Sequence, residues 1–154
     1  MWWIFPAALG PVIIGVGTVR AVRGRFLVVT VVGESMQPNY ETGDRVIVRR
    51  TRLDDVACGD VVVIEEPDAD GGWTRPAHRG ATSGRDWMIK RVVAVPGDPR
   101  PDEHLPAAVT PEASVPAGAF VVRGDNADRS YDSRQLGYFP ANRLLGVVLR
   151  TVGG

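Results

Sequence analysis

Lysine is almost missing from this sequence. Seventeen of its eighteen basic residues are arginine, and the exception, Lys90, sits in the apolar run Trp87-Met88-Ile89-Lys90-Arg91-Val92-Val93-Ala94-Val95. Arginine stays charged under all ordinary conditions, whereas a desolvated lysine can lose its proton. A chain that uses arginine everywhere else and lysine here is consistent with a need for a deprotonatable amine. Cysteine is equally scarce. Cys58 is alone, which excludes an intramolecular disulfide. It lies in Asp-Val-Ala-Cys-Gly-Asp, a turn leading into a strand, and reads as a small buried residue rather than a nucleophile. Neither sign of charge is in excess. Eighteen acidic residues balance eighteen basic ones, so no basic surplus points to nucleic acid and no acidic block points to a disordered tail.

Charge is also lacking from residues 1–19. As a helix this stretch would reach about 28 Å at ~1.5 Å per residue, close to the ~30 Å hydrocarbon core. Trp2, Trp3 and Phe5 suit one interface, and membrane spans tolerate the interspersed Pro and Gly residues. A cleavable leader would want a basic start and a small-residue cleavage site, and neither is visible. The expectation is a membrane anchor over 1–19 and one domain over 20–154. Arg20, Arg23 and Arg25 follow the span, and by the positive-inside rule they would hold the domain in the cytoplasm.

Helical periodicity is missing beyond residue 26. What is there instead is a series of short runs rich in Val, Ile and Leu: 26–32, 45–50, 60–65, 87–95, 119–123 and 144–152. Turn residues such as Gly43-Asp44, Gly59-Asp60, Pro96-Gly97-Asp98 and Gly124-Asp125-Asn126 bound them. The predicted fold is all-β, a barrel or sandwich, with loops over 66–85 and 99–118.

Three segments carry chemistry. On a strand over 87–95, Met88, Lys90, Val92 and Ala94 share one face, which sets the lysine among apolar neighbours. Burial disfavours the ammonium, and a lysine working as a base near neutrality needs its pKa brought from ~10.4 to ~7–8. The bland alternative is a lysine whose stem packs while its head reaches water. Val31-Val32-Gly33-Glu34-Ser35-Met36-Gln37-Pro38 ends a strand in a sharp turn, where Gly33 permits close backbone approach. Alternation from Leu27 through Gly33 would bring Ser35 out at the strand's end. A serine hydroxyl needs a base to become a nucleophile, and a neutral lysine can be that base. The third segment runs from Gly124-Asp125-Asn126 to Ser130-Tyr131-Asp132-Ser133-Arg134, a polar loop dense in hydrogen-bonding groups.

Together, and in this order, the segments resemble the type I signal peptidases, serine–lysine proteases that release exported proteins from their signal peptides. Gly33-Glu34-Ser35-Met36-Gln37-Pro38 is similar to the family's nucleophile box. Gly43-Asp44-Arg45-Val46 and Gly59-Asp60-Val61-Val62 are similar to its following strands. Lys90 through Asp98 is similar to its lysine box, and Gly124 through Arg134 to its last box. The resemblance implies Ser35 as nucleophile and Lys90 as general base, then acid for the leaving amine, then base for the deacylating water. It implies that Ser130 orients the Lys90 amine, that Asp132 pairs with Arg134 and with Arg91, and that the Ser35 N–H is half of an oxyanion hole. Gly33 stands where some members place a second hydroxyl donor. The family's fold implies an all-β catalytic domain lying on a bacterial membrane. One transmembrane helix anchors it, and the domain faces outside the cytoplasm, against the arginine count. Implied partners are preproteins bearing N-terminal signal peptides and membrane lipid; no cofactor, metal or nucleic acid is expected, and the chain is expected to be a monomer. The short 97–118 region leaves no room for a large inserted cap.

A Ser-His-Asp hydrolase would need His78 or His104, and neither has a paired aspartate pattern. Two alternatives stand: a processing peptidase of the same group dedicated to one precursor, and an inactive β-domain that binds signal peptides. The presence of both Ser35 and Lys90 speaks against the second.

Overall fold

A computed structural model describes residues 17–22, 24–78, 81–106 and 112–153. Eight strands run in chain order: β1 (Gly17–Val22), β2 (Phe26–Thr30), β3 (Arg45–Arg50), β4 (Val61–Glu65), β5 (Trp87–Ala94), β6 (Ala119–Arg123), β7 (Phe139–Pro140) and β8 (Leu144–Thr151). They form a curled antiparallel half-barrel in the order β1-β2-β3-β8-β4-β5-β6-β7. Every pairing is antiparallel. The last strand inserts between β3 and β4, so the two halves of the chain close on each other.

The predicted strand runs over 26–32, 45–50, 60–65, 87–95, 119–123 and 144–152 each fall on an observed strand. Period-two alternation is clean where one face meets water: in β2, Leu27 and Val29 are buried while Phe26 is exposed. It disappears in β4, where all five residues are buried. There the sheet has apolar clusters on both faces. Val61, Val63, Trp87 and Ile89 join the β2–β3 side of the core, and Val62, Ile64, Met88 and Val92 join a second cluster with Phe120, Val122 and Phe139. Lys90 lies on the second face, between Met88 and Val92 along β5, and pairs with Val62 across β4.

Three expectations are corrected. β1 takes residues 17–22, so the last part of the predicted 1–19 span is strand and the boundary at 19/20 falls inside an element. The physical reason is a hairpin: β1 pairs with β2, Val22 opposite Phe26, around Gly24 at φ 61°. Residues 1–16 of that span lie outside the described residues, and among the described residues no helix is long and apolar enough to cross a membrane. Cys58, expected to be buried, is exposed, with its thiol donating to the Val93 carbonyl at 2.9 Å. The polar loop after β6 holds a single helical turn, α1 (Ser133–Leu136), too short for any periodicity signal.

The 66–86 connection is tied down by a buried ion cluster. Glu65, at the end of β4, accepts from Arg143 Nη1 at 3.0 Å and from Arg85. Arg143 also donates to the Arg75 carbonyl at 2.8 Å and stacks over the Trp73 ring. Pairing of this kind offsets the cost of burying these charges.

Candidate active site

The turn that carries Ser35 follows β2. Gly33 sits at φ 95°, a left-handed conformation that ends the alternation before Ser35. Thr42 holds both polar groups of Gly33 through its hydroxyl, at 3.0 Å each. Ser35 is therefore presented by a turn rather than by the strand end, and it is 2% exposed. Its neighbour Met36 packs in the core with Leu27, Val29 and Val31, which anchors the turn.

Lys90 is 0% exposed, and its amine has no hydrogen-bond partner among the described residues. Burial lowers its pKa from the usual value to about 8, outweighing the opposite pull of Asp132 and Glu66, while Arg134 lowers it further. The snorkelling alternative does not hold, since no part of this side chain reaches water.

Gly124 explains how the segments meet. Arg91 on β5 pairs with Arg123 on β6, and continuing that antiparallel register by one residue sets Lys90 across from Gly124. Cross-strand partners point to the same face. A side chain added at Gly124 would fall 2.2 Å from Ser130 Oγ and 2.6 Å from the Ser35 carbonyl oxygen. Ser130 and the Ser35 backbone thus close against Gly124 where a side chain would stand, with Lys90 across from it on the neighbouring strand. No hydrogen bond joins Ser35 to Lys90 among the described residues.

The last segment is organised by Asp132, which is 0% exposed. Its carboxylate accepts from Ser130 Oγ at 2.7 Å, Gly124 N at 2.9 Å, and Arg134 Nε and Nη2 at 3.0 Å each. It also caps α1, with Gln135 returning a bond to the Asp132 backbone at 3.0 Å. Ser133 Oγ accepts from Val122 N at 2.9 Å. Beyond the short β7, the open edge of β6 is therefore satisfied by side chains instead of another strand. Burial raises the Asp132 pKa, but Arg134, Gly124 and Ser130 together hold it below the ordinary carboxylate value. Asp132 pairs with Arg134, whereas Arg91 takes a different carboxylate.

That carboxylate is Asp125, whose role the sequence did not signal. Arg91 Nε and Nη2 donate to Asp125 at 2.8 and 2.7 Å, and Asn39 Nδ2 donates to it at 2.8 Å. Strand β5, the turn after β6 and the turn that carries Ser35 are clamped together by this trio. Glu66 was also missed. Its pKa is raised by burial and by Asp86, and it faces Lys90 electrostatically. A loop glutamate gives no sign in sequence of which buried group it will approach.

His78 Nε2 donates to the Leu144 carbonyl, 2.9 Å away, and stacks edge-on with Trp87, while His104 lies beside Glu103 at 3.2 Å. Neither forms part of a Ser-His-Asp arrangement. A cavity of 1020 Å³ is lined by Arg49, Arg52, His78 and Leu144 among others and includes none of the predicted site residues. It gathers arginines and holds neither Ser35 nor Lys90.

Comparison with known proteins follows the same lines. Residues 4–99 and 100–152 match the family described as signal peptidase, peptidase S26. A probable signal peptidase I-2 of Synechocystis is 31% identical over 131 residues, covering 73% of this chain and 56% of that protein. A probable signal peptidase I-1 of the same organism is 29% identical, covering 87% and 76%. Signal peptidase IB of Staphylococcus aureus is 26% identical over 95% of this chain and 85% of its own length. The chain spans little more than half of the first of these relatives and more of the others. With the family's pattern matched across nearly its whole length, this chain belongs to the signal peptidase family, peptidase S26.

Proposed function

We propose that this protein is a serine endopeptidase that removes N-terminal signal peptides from exported preproteins with Ser35 and Lys90. The observation that carries the reading is the state of Lys90: fully buried, unpartnered at its amine and shifted to about 8. A base is most useful when its pKa lies near the working pH, and here desolvation is the main cause that brings the lysine there. The family and the names of its relatives support the substrate class.

In the proposed reaction the neutral Lys90 amine takes the Ser35 hydroxyl proton as Oγ attacks the scissile carbonyl carbon. The Ser35 N–H stabilises the resulting oxyanion. The carbon–nitrogen bond breaks as the Lys90 ammonium returns its proton to the leaving amine. A water then gives a proton to Lys90 and attacks the acyl carbon; the carbon–Oγ bond breaks, the carboxylic acid product leaves, and the Lys90 ammonium returns the proton to Oγ. Ser130, held by Asp132, orients the amine, and Asp132 is itself held by Arg134.

The same reading places the chain on a bacterial membrane by an N-terminal span, with its catalytic domain outside the cytoplasm. An exposed apolar strip on β2, β8 and the residue after β8, with Phe26 at 37%, Leu149 at 47% and Val152 at 36% exposure, supports contact with lipid.

The test is cleavage of a panel of exported precursors by the full chain in detergent, with product N-termini sequenced. Ser35→Ala and Lys90→Arg each abolish cleavage while leaving the melting transition cooperative. Retained activity in Lys90→Arg would remove lysine from the role of base, because arginine holds its proton.

A further inference from the structure

Asn126 makes two bonds to the nucleophile turn, and neither has a role in the reaction as set out above. Its backbone N–H donates to the Ser35 carbonyl at 2.9 Å. Its carboxamide Nδ2 donates to the Glu34 carbonyl at 3.1 Å. These carbonyls belong to the two peptide units that flank the Ser35 α-carbon. One residue from the turn after β6 therefore grips both sides of the nucleophile.

The Glu34 carbonyl and the Ser35 N–H are the two ends of one planar trans peptide and point in opposite directions. Fixing the carbonyl fixes where the N–H points. Among the described residues that N–H has no acceptor. The Glu34 carbonyl also receives Gln37 N at 3.2 Å, but that bond is local and moves with the turn. The Asn126 bonds come from the segment beginning at Gly124, the residue set against Lys90. They register the turn to the strand pair that carries the base.

We propose that Asn126 is a positioning residue for catalysis: by bracketing Ser35 it aims the Ser35 N–H at the developing oxyanion and fixes Oγ relative to Lys90. This rests on the serine–lysine reading. An N–H aimed in advance stabilises charge that appears only in the transition state, so its misdirection slows turnover without weakening substrate binding.

The experiment uses the full chain in detergent with a peptide substrate. It compares Asn126→Ala, which removes the carboxamide, with Asn126→Asp, which keeps the shape and backbone N–H but turns an acceptor toward the Glu34 carbonyl. Four quantities are read: kcat, KM, the pH profile, and affinity for a peptidyl aldehyde that forms a tetrahedral adduct with serine. The expected result is a roughly tenfold to hundredfold fall in kcat in both variants. KM and the pH limb stay unchanged, and aldehyde affinity falls with kcat/KM. Unchanged kcat overturns the proposal. So does a loss confined to KM, or a shifted pH limb, which would place Asn126 with substrate binding or with Lys90. If the alanine variant does not fold, the aspartate variant decides by the same criteria. Ser35→Ala and Lys90→Arg run alongside; activity in either overturns the dyad and this proposal together, whereas inactive controls with a fully active Asn126→Ala overturn this proposal alone.

Discussion

Ser130 donates its hydroxyl hydrogen to Asp132 Oδ2 at 2.7 Å. A serine has one hydrogen to give, and an ionised carboxylate can only accept. Toward any other neighbour the Ser130 oxygen is therefore an acceptor. A bond between Ser130 and the Lys90 amine has lysine as the donor, which leaves the nitrogen lone pair free for a proton. Asp132 thus sets the direction of hydrogen bonding at the site as well as its charge.

The first prediction concerns pH. If the neutral amine is the base, cleavage rises about tenfold per pH unit up to about 8, then levels off, following Lys90. Asp132 pulls the Lys90 pKa upward, so Asp132→Asn lowers it and moves the limb toward acid. A pH–rate profile of kcat/KM for both proteins checks the sign. A limb that stays in place in Asp132→Asn would show that the carboxylate does not act on the amine.

A second prediction separates function from stability. Lys90 is wholly buried, and its pKa is held at about 8 against an unfolded value near 10.4. Below pH 8 the lysine is protonated in both states, and the folded protein bears the full cost of a buried charge. Between about 8 and 10.4 the unfolded chain holds the extra proton, so stability rises with pH across that window. Lys90→Met, similar in shape and uncharged, is expected to be inactive yet more stable by about 3 kcal/mol at pH 7. The gain fades by pH 10.5. Denaturant midpoints at the two pH values measure it, and a destabilised Lys90→Met would contradict the buried-charge account.

A third prediction tests the meeting point of the segments. Gly124→Ala places a methyl 2.2 Å from Ser130 Oγ and 2.4 Å from Ser130 Cβ. The backbone oxygen of Ser35, 2.6 Å away, cannot rotate aside. Overpacking of this kind costs about 1–3 kcal/mol, and displacement of catalytic groups by about 1 Å costs roughly a hundredfold in rate. Activity should therefore fall far more than the melting temperature. Cleavage assays and thermal melts on the same preparation compare the two.

Strand locations, the burial of Lys90 and the order of the motifs were legible in the sequence because each is a local pattern. Alternation marks a face, and glycine with aspartate marks a turn. Three features were not legible. β1 was hidden by the uncharged run that overlaps it, since absence of charge marks both a span and a strand. The exposure of Cys58 depends on which side of the turn faces Val93. The partner of Arg91 is Asp125 rather than Asp132, a choice between two carboxylates seven residues apart in a loop whose path local pattern does not specify.

The sequence by itself determined which atoms could react: one lysine in an apolar strand, one serine in a tight turn, and a polar segment to serve them. Their relative placement comes from the pairing of β5 with β6 and the packing of the 124–134 loop. Strand pairing sets β5 beside β6, Gly124 lets Ser130 and the Ser35 backbone approach, Asp132 holds the Gly124 N–H, and Asn126 holds the Glu34 carbonyl. The reason is physical: residue identity sets what a group can do, whereas its pKa and reach come from neighbours distant in sequence, which only folding supplies.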